Sequence, residues 1–257
     1  MANTRRPLLQ CACALLILSG CSKREPAAPA DNTPASRARI FDSSEGTSGM
    51  SGIVTLEGPA PAASQIRMDA DPVCAAGHKD AVFSEDVIAT GGRLANVFVY
   101  VKEGLGAYSF PPPEEPVVLA QDGCRYVPHV TGVMVNQKLR IVNNDATLHN
   151  IHCRAEINSQ FNIGQPVKGM EAIRTFAKPE VMIRFACDVH KWMYCYVGVV
   201  AHPFYAVTGT DGAFNIRGLP PGQYVVAAWH EKYGSRTRKV TLGNKESKSV
   251  DFSFGGS

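Results

Sequence analysis

The chain has 257 residues and a formal net charge of +3, which falls to +1 when residues 1–20, with their two arginines, are removed. So weak a charge does not favour a nucleic-acid partner. The sequence has no Ser-His-Asp order, no phosphate-binding glycine loop and no paired carboxylate motif. We therefore predict that the protein is not an enzyme.

The N-terminal segment has the pattern of an export signal. Two arginines precede an apolar run at residues 8–18, which is short for a membrane span. The run ends in Leu-Ser-Gly before Cys21, which resembles a bacterial lipobox. The resemblance implies cleavage before Cys21 and a lipid on its sulfur, whereas the alternative is an ordinary signal peptide. Ser22 follows, and in such lipoproteins this implies a lipid-anchored periplasmic protein of the outer membrane.

Composition then divides the chain into five segments. The residues from Ser22 to Thr47 are rich in Pro, Ala and Ser and poor in large apolar side chains, which predicts a disordered tether. About 210 residues remain beyond it, enough for one large or two small β domains. The predicted segments are a signal peptide at 1–20, a tether at 21–48, an N-terminal β segment at 49–110, a metal-ligand domain at 111–204 and a second β domain at 205–257.

Short strand-like runs recur between Gly, Pro, Asn and Asp residues, and helical periodicity is almost absent. This spacing predicts an all-β fold of the sandwich or barrel type. One short helix is predicted at residues 71–78. The predicted strands are Ile53–Leu56, Ala95–Val101, Val117–Ala120, Gly132–Val135, Lys138–Val142, Val181–Ala186, Tyr196–Ala201, Ala213–Ile216, Tyr224–Trp229 and Lys239–Leu242.

The C-terminal segment carries the turn chemistry of a small sandwich. Asp-Gly at 211–212 and Pro-Pro-Gly at 220–222 separate apolar runs. The pattern resembles the carboxypeptidase regulatory-like domain, a transthyretin-type β-sandwich. Residues 52–56 and 94–101 resemble the opening strands of that fold. The metal-ligand domain is then either inserted between its strands or placed in tandem, and the sequence leaves both orders open.

The stretch from Cys187 to Met193 places a thiol, an imidazole at His190 and a thioether within one short loop. A blue-copper site needs two imidazoles and a cysteine, with a weak axial methionine. The second imidazole has two candidates upstream, His149 and His152. In an extended strand these two side chains point to opposite faces, so we expect only one of them to bind the ion and choose His149.

The strand that leads into Cys187 predicts where its sulfur points. Strict alternation places one apolar set of side chains on one face of the strand: Val181, Ile183, Phe185 and Cys187. The opposite face carries Met182, Arg184 and Ala186. The sulfur should therefore point into the end of the core.

These segments, together with residues 139–145 and 196–200, resemble the cupredoxin family, and within it the amicyanin type. The resemblance implies a Greek-key barrel or sandwich with one type 1 copper. It implies His149, Cys187 and His190 as strong ligands and Met193 as the axial ligand. It also implies that Asn150 holds the ligand loop by hydrogen bonding.

Asp188 departs from the family pattern, in which Ser or Thr often follows the cysteine. A carboxylate near the thiolate should favour Cu(II) and lower the potential unless it is paired or protonated. The Asn150 amide is its predicted partner, and Asp188→Ser is expected to raise the potential.

The cysteine count predicts one thiol that is not part of a disulfide. After loss of the signal and lipidation of Cys21, five cysteines remain, an odd number in an exported chain. Cys187 is the predicted metal ligand. Four others allow three pairings in an oxidising compartment. We predict the disulfides Cys74–Cys124 and Cys153–Cys195, with a free Cys195 thiol as the alternative.

The predicted function is single-electron transfer by a lipid-anchored copper protein. Electrons would pass through His190, whose ring is expected to lie nearest the surface, to a redox protein such as a c-type cytochrome. Two alternatives remain: a periplasmic copper carrier or sensor, and a structural cell-surface module with a vestigial metal loop. Zinc is the rival metal, since two histidines, one cysteine and a water would satisfy it, but the thioether favours copper.

Overall fold

A computed structural model of the protein describes residues 38–255. The predicted signal peptide, Cys21 and most of the tether lie outside this range. The described part is all-β, which confirms the predicted fold class. Its one α-helix, α1 (Pro72–Ala76), falls within the predicted helical segment, and a 3-10 turn spans Ser43–Glu45. No helix of residues 38–255 has the length and apolar character needed to cross a membrane.

The strands fall into three groups along the chain. The first group is β1 (Arg39–Ile40), β2 (Ser48–Glu57), β3 (Gln65–Ile66), β4 (Val82–Phe83), β5 (Ala89–Thr90), β6 (Arg93–Leu94), β7 (Phe98–Glu103) and β8 (Tyr108–Ser109). The second is β9 (Val117–Gln121), β10 (Tyr126–Val127), β11 (Val130–Met134), β12 (Leu139–Asn143), β13 (His149–Arg154), β14 (Phe161–Gln165), β15 (Glu171–Arg174), β16 (Glu180–Ala186) and β17 (Tyr194–Val200). The third is β18 (Tyr205–Val207), β19 (Ala213–Leu219), β20 (Gly222–His230), β21 (Gly234–Leu242), β22 (Ser247–Ser249) and β23 (Phe252–Gly255).

The second group forms two mixed sheets, with strand orders β10-β9-β12-β15 and β11-β17-β16-β13-β14. Side chains alternate along each strand, so one face of each sheet contributes to a shared apolar core. The fully buried Leu139, Ile141, Ile151 and Phe185 belong to it. This sandwich carries all four predicted metal ligands.

Most strands of the other two groups combine in a second sandwich. Its sheets have the orders β18-β7-β20-β21 and β19-β2-β6-β5, and both β22 and β23 pair with β2. Two separate two-stranded sheets are formed by β1 with β8 and by β3 with β4. The strands β2 and β7 precede the ligand-bearing segment, whereas β19 and β20 follow it. Strands that precede the ligand-bearing segment in the sequence therefore pair with strands that follow it, and together they enclose a second apolar core. The domain boundaries at 110 and 204 stay predictions.

The two sandwiches meet at Phe98 of β7. Its fully buried ring lies against Gly132 of β11 and Gly198 of β17. A Cβ added to Gly198 would lie 2.6 Å from Cζ of Phe98, closer than real Cβ atoms approach. The glycines therefore let the phenyl ring lie directly on the sheet.

Two sequence expectations need correction. The predicted tether extends to residue 48, but Arg39–Ile40 pairs with Tyr108–Ser109, and Phe41 packs on Phe110 with ring centroids 5.1 Å apart. The strict alternation predicted for β16 is also wrong at its start. A register shift between Glu180 and Ile183 leaves Val181 38% exposed, and only the residues after the shift keep the predicted buried face.

Candidate metal centre

Three elements converge at one edge of the ligand-bearing sandwich. Strands β13 and β16 are antiparallel with His152 opposite Ala186, so the start of β13 lies beside the end of β16. His149 is the first residue of β13, and Cys187 directly follows β16. The loop from β16 to β17 then carries His190 back over this edge.

The donor atoms of His149, Cys187 and His190 form a compact buried group. One donor atom from each lies within 4.8 Å of the other two, and the side chains belong to residues only 0%, 2% and 3% exposed. The Nδ1 atoms of the two histidines are 2.9 Å apart, and Sγ of Cys187 is 3.9 Å from Nδ1 of His190. Two imidazoles and one thiol thus form a single cluster, and its upstream histidine is His149, not His152.

Met193 closes the loop through its backbone. The Cys187 N–H donates to the Met193 carbonyl at 3.0 Å, and the Met193 N–H donates to the His190 carbonyl at 2.9 Å. The Met193 side chain is buried. Its role as axial ligand stays a prediction.

Each histidine of the cluster has a carboxylate on its outer nitrogen. Nε2 of His149 lies 2.9 Å from Asp145 Oδ2, and Nε2 of His190 lies 3.0 Å from Asp71 Oδ2. Such outer partners fix the ring orientation and leave Nδ1 for a metal. Neither carboxylate is predicted from the sequence as a partner of a metal ligand. Asp145 stands four residues before His149, a detectable signal, whereas Asp71 is recognisable from the sequence only as a helix N-cap.

At 3% exposed, His190 is the least buried of the four predicted ligands, but it is still almost completely covered. Asp71, at the start of α1, covers its outer nitrogen. The half-buried Trp192 packs on the other side, with its ring centroid 5.0 Å from that of His190. The Trp192 indole N–H is held by the Cys124 carbonyl at 3.0 Å.

Asn150 ties the two ligand-bearing strands together. Its Oδ1 accepts a hydrogen bond from the Asp188 N–H at 2.6 Å, and its Nδ2 donates to the Asp188 carboxylate at 3.1 Å. Oδ1 also lies 3.2 Å from Sγ of Cys187. His152 binds Asp188 at 3.1 Å, outside the cluster. Asp188 is thus paired, and Asn150 is one of its partners.

Hydrogen bonds outweigh burial in setting the charges of the cluster. Burial alone would lower the pKa of His149, but hydrogen bonds to Asp145 and Cys187 raise that pKa to about 9. Burial alone would raise the pKa of Cys187. Hydrogen bonds from His149 and the His190 backbone N–H instead hold it below its ordinary value. The site therefore favours a thiolate, the form that binds metals.

The other four cysteines differ in whether they form a disulfide. Cys74 and Cys124 form a disulfide, whereas Cys153 and Cys195 are free, buried thiols. The predicted Cys153–Cys195 pairing is therefore corrected. Phe185 of β16 stands between them, opposite Cys153 on one side and Cys195 on the other. Two inter-strand spacings of about 4.8 Å separate their backbones, too far for a disulfide.

The cluster fits a copper ion by its donor chemistry. Two imidazoles and a thiolate are the strong ligands of blue-copper sites, and here both imidazoles present Nδ1 to the same point. The outer carboxylates satisfy the remaining ring nitrogens, as metal-bound histidines require. The apolar surroundings limit water at the thiol.

Comparison with known proteins gives one family match. Residues 197–255 match the carboxypeptidase regulatory-like domain, so the predicted resemblance of the C-terminal segment is supported over that range. No curated protein matches the chain.

Solved structures also resemble part of the chain, and three of them serve as examples. A copper-containing nitrite reductase from Thermus scotoductus SA-01 is 21% identical, with a TM-score of 0.29, over 33% of this chain and 22% of the reductase. An amicyanin mutant in the Cu(I) form is 21% identical, with a TM-score of 0.29, over 33% of this chain and 81% of amicyanin. A purple cupredoxin from Nitrosopumilus maritimus is 18% identical, with a TM-score of 0.28, over 32% of this chain and 98% of that protein.

Proposed function

We propose that the protein binds one copper ion at His149, Cys187 and His190, with Met193 as axial ligand, and transfers single electrons. One observation carries the proposal: three buried donor atoms of the right types meet within 4.8 Å. Copper bound there would supply one-electron exchange between Cu(I) and Cu(II). The thioether favours copper over zinc.

The surroundings of the donors suit electron transfer because they resist rearrangement. Each imidazole is held from outside by a carboxylate, and the cysteine loop is held by Asn150 and by the Met193 backbone. Side chains locked in this way keep their positions when the charge at the centre changes. A copper carrier needs ligands that release the ion readily, and the covered His190 argues against that alternative.

Electron entry is proposed through Trp192 rather than through an exposed histidine. The indole contacts His190 and is half-buried, so it links the covered ring to the surface. The redox partner is proposed to be a protein such as a c-type cytochrome. Lipidation at Cys21 would place the carrier at the periplasmic face of the outer membrane. We propose no catalytic reaction for this chain.

A visible absorption titration with Cu(II) tests the proposal. The oxidised protein should take up one equivalent and become intensely coloured through sulfur-to-copper charge transfer. Cys187→Ser should lose the colour, because serine cannot supply the thiolate. Cys153→Ala is the matched control, since it removes a buried thiol of the same core outside the cluster. A colourless wild type, or equal colour in Cys187→Ser, would refute the copper assignment.

A chelator challenge separates the electron carrier from the copper carrier. The electron carrier should keep its copper against a competing chelator while it undergoes repeated reduction and oxidation. Loss of copper on each reduction would instead support copper transport. Tight one-to-one zinc binding without stoichiometric copper uptake would favour the rival metal.

A further inference from the structure

A cavity of about 120 Å³ lies beside the ligand loop, on the side of Met193 and Trp192. Its walls come from the ligand-bearing sandwich and from the segment that carries β3 and β4. The cavity borders the proposed metal centre through Met193, whereas His149, Cys187 and His190 do not line it.

The cavity walls are mainly aromatic. Tyr126, Trp192 and Tyr194 present their rings to it. The polar groups of the first two are already used, since the Tyr126 hydroxyl donates to the Asn150 carbonyl and the Trp192 N–H donates to the Cys124 carbonyl. These two walls therefore offer ring faces and edges, which pack best against another aromatic ring.

One wall of the cavity is charged. Arg125 lines the cavity, and its side chain is 34% exposed. Its Nη1 forms an ion pair with Glu85 at 3.6 Å. A guanidinium has five N–H donors, so a ligand that supplies an acceptor can bind to it.

Charge selects a neutral ligand. Glu85 also lines the cavity and neutralises Arg125, so a carboxylate placed between them would be repelled by Glu85. A hydroxyl group can accept from the Arg125 guanidinium and donate to the Glu85 carboxylate. His129 also lines the cavity, but it is already paired with Glu231.

Size limits the ligand to one ring. A cavity of roughly 150 Å³ holds benzene, so about 120 Å³ with an open side accommodates a single six-membered ring. We propose that this cavity binds a neutral monocyclic phenol, with its ring among Tyr126, Trp192 and Tyr194 and its hydroxyl on Arg125 and Glu85. The binding does not depend on copper.

Phenol titration of the metal-free full chain, kept in EDTA, tests the proposal. The chain has two tryptophans, so a Trp229→Phe background leaves the indole N–H signal of Trp192 alone in the NMR spectrum. Phenol should shift this signal saturably, with a Kd on the order of 1 mM or below for so small a ligand. Benzoate and cyclohexanol should bind more weakly, because the first is anionic and the second lacks an aromatic ring.

Three substitutions locate the binding. Arg125→Met should weaken phenol binding about tenfold or more, the usual effect of losing a hydrogen bond to a charged group. Ser84→Leu should abolish it by filling the cavity, which Ser84 lines. Arg140→Met, at an exposed arginine paired with Glu171 outside the cavity, is the matched control and should leave it unchanged.

Several results would overturn the inference. One is a Trp192 signal that does not saturate with phenol, and another is a full response in Ser84→Leu. Tighter binding of benzoate than of phenol would contradict the assigned ligand class. None of these results bears on copper binding, which is tested separately by the colour of the Cu(II) protein.

Discussion

Cys74 and Cys124, joined as a disulfide, hold the two carboxylates that orient the two histidines of the candidate metal centre. The Cys74 N–H donates to Asp71 at 3.3 Å, and the Cys124 N–H donates to Asp145 at 2.8 Å. Asp71 in turn binds His190, and Asp145 binds His149. Each half of the disulfide is therefore connected to one histidine of the cluster through the backbone N–H of the cysteine and one aspartate.

The first prediction concerns Asp71. Asp71→Asn keeps a good helix N-cap but replaces the carboxylate on His190 Nε2 with a neutral amide. We expect copper affinity to fall by about tenfold or more, as for other outer partners of metal-bound histidines. Competition with a chelator of known affinity measures the change. Asp69→Asn removes an exposed carboxylate of the same segment and should leave the affinity unaltered.

The second prediction is a pH dependence of copper binding. In the metal-free protein the pKa of His149 is about 9, so below that pH copper must displace a proton from its ring. Copper affinity should therefore rise about tenfold per pH unit from pH 7 towards 9 and then level off. The raised pKa also means that His149 stabilises the metal-free fold below its ordinary pKa, and that this contribution is lost as pH rises through about 9.

Asp145→Asn provides the control for this dependence. It removes the main hydrogen bond that raises the pKa of His149, so the levelling-off should move to lower pH. Affinities measured between pH 6 and 10 give both curves. An unchanged curve in the variant would show that another group supplies the proton.

The sequence predicted the positions of the main strands and three clustered donors, because both depend on local patterns. Alternation along β13 separated His149 from His152, and the short loop placed His190 near Cys187. The contact of Asp71 with His190 could not be predicted, because the two residues lie 119 positions apart along the chain. Met182 was also unpredictable: it adopts a φ of 67° beside the register shift, a conformation that no residue pattern signals for methionine.

The third prediction concerns Asp188. Hydrogen bonds from His152 and Asn162 hold the pKa of its carboxyl below the ordinary value, so it is ionised at neutral pH. A negative charge next to the thiolate stabilises Cu(II), so Asp188→Asn should raise the reduction potential. Because Asp188 is partly exposed and paired, we expect a rise on the order of tens of millivolts. Voltammetry measures it, and Glu114→Gln, at an exposed acid, should cause no shift.

The last prediction concerns the disulfide. Replacing both Cys74 and Cys124 with serine opens a link across 50 residues, which should lower the free energy of unfolding by about 4 kcal/mol. The segment with Asp71 would then be held less firmly, so copper should also dissociate faster into excess chelator. Denaturant unfolding and stopped-flow absorbance measure the two effects. Reduction of the wild-type disulfide should reproduce both, whereas lower stability with unchanged copper release would show that the disulfide does not support the metal centre.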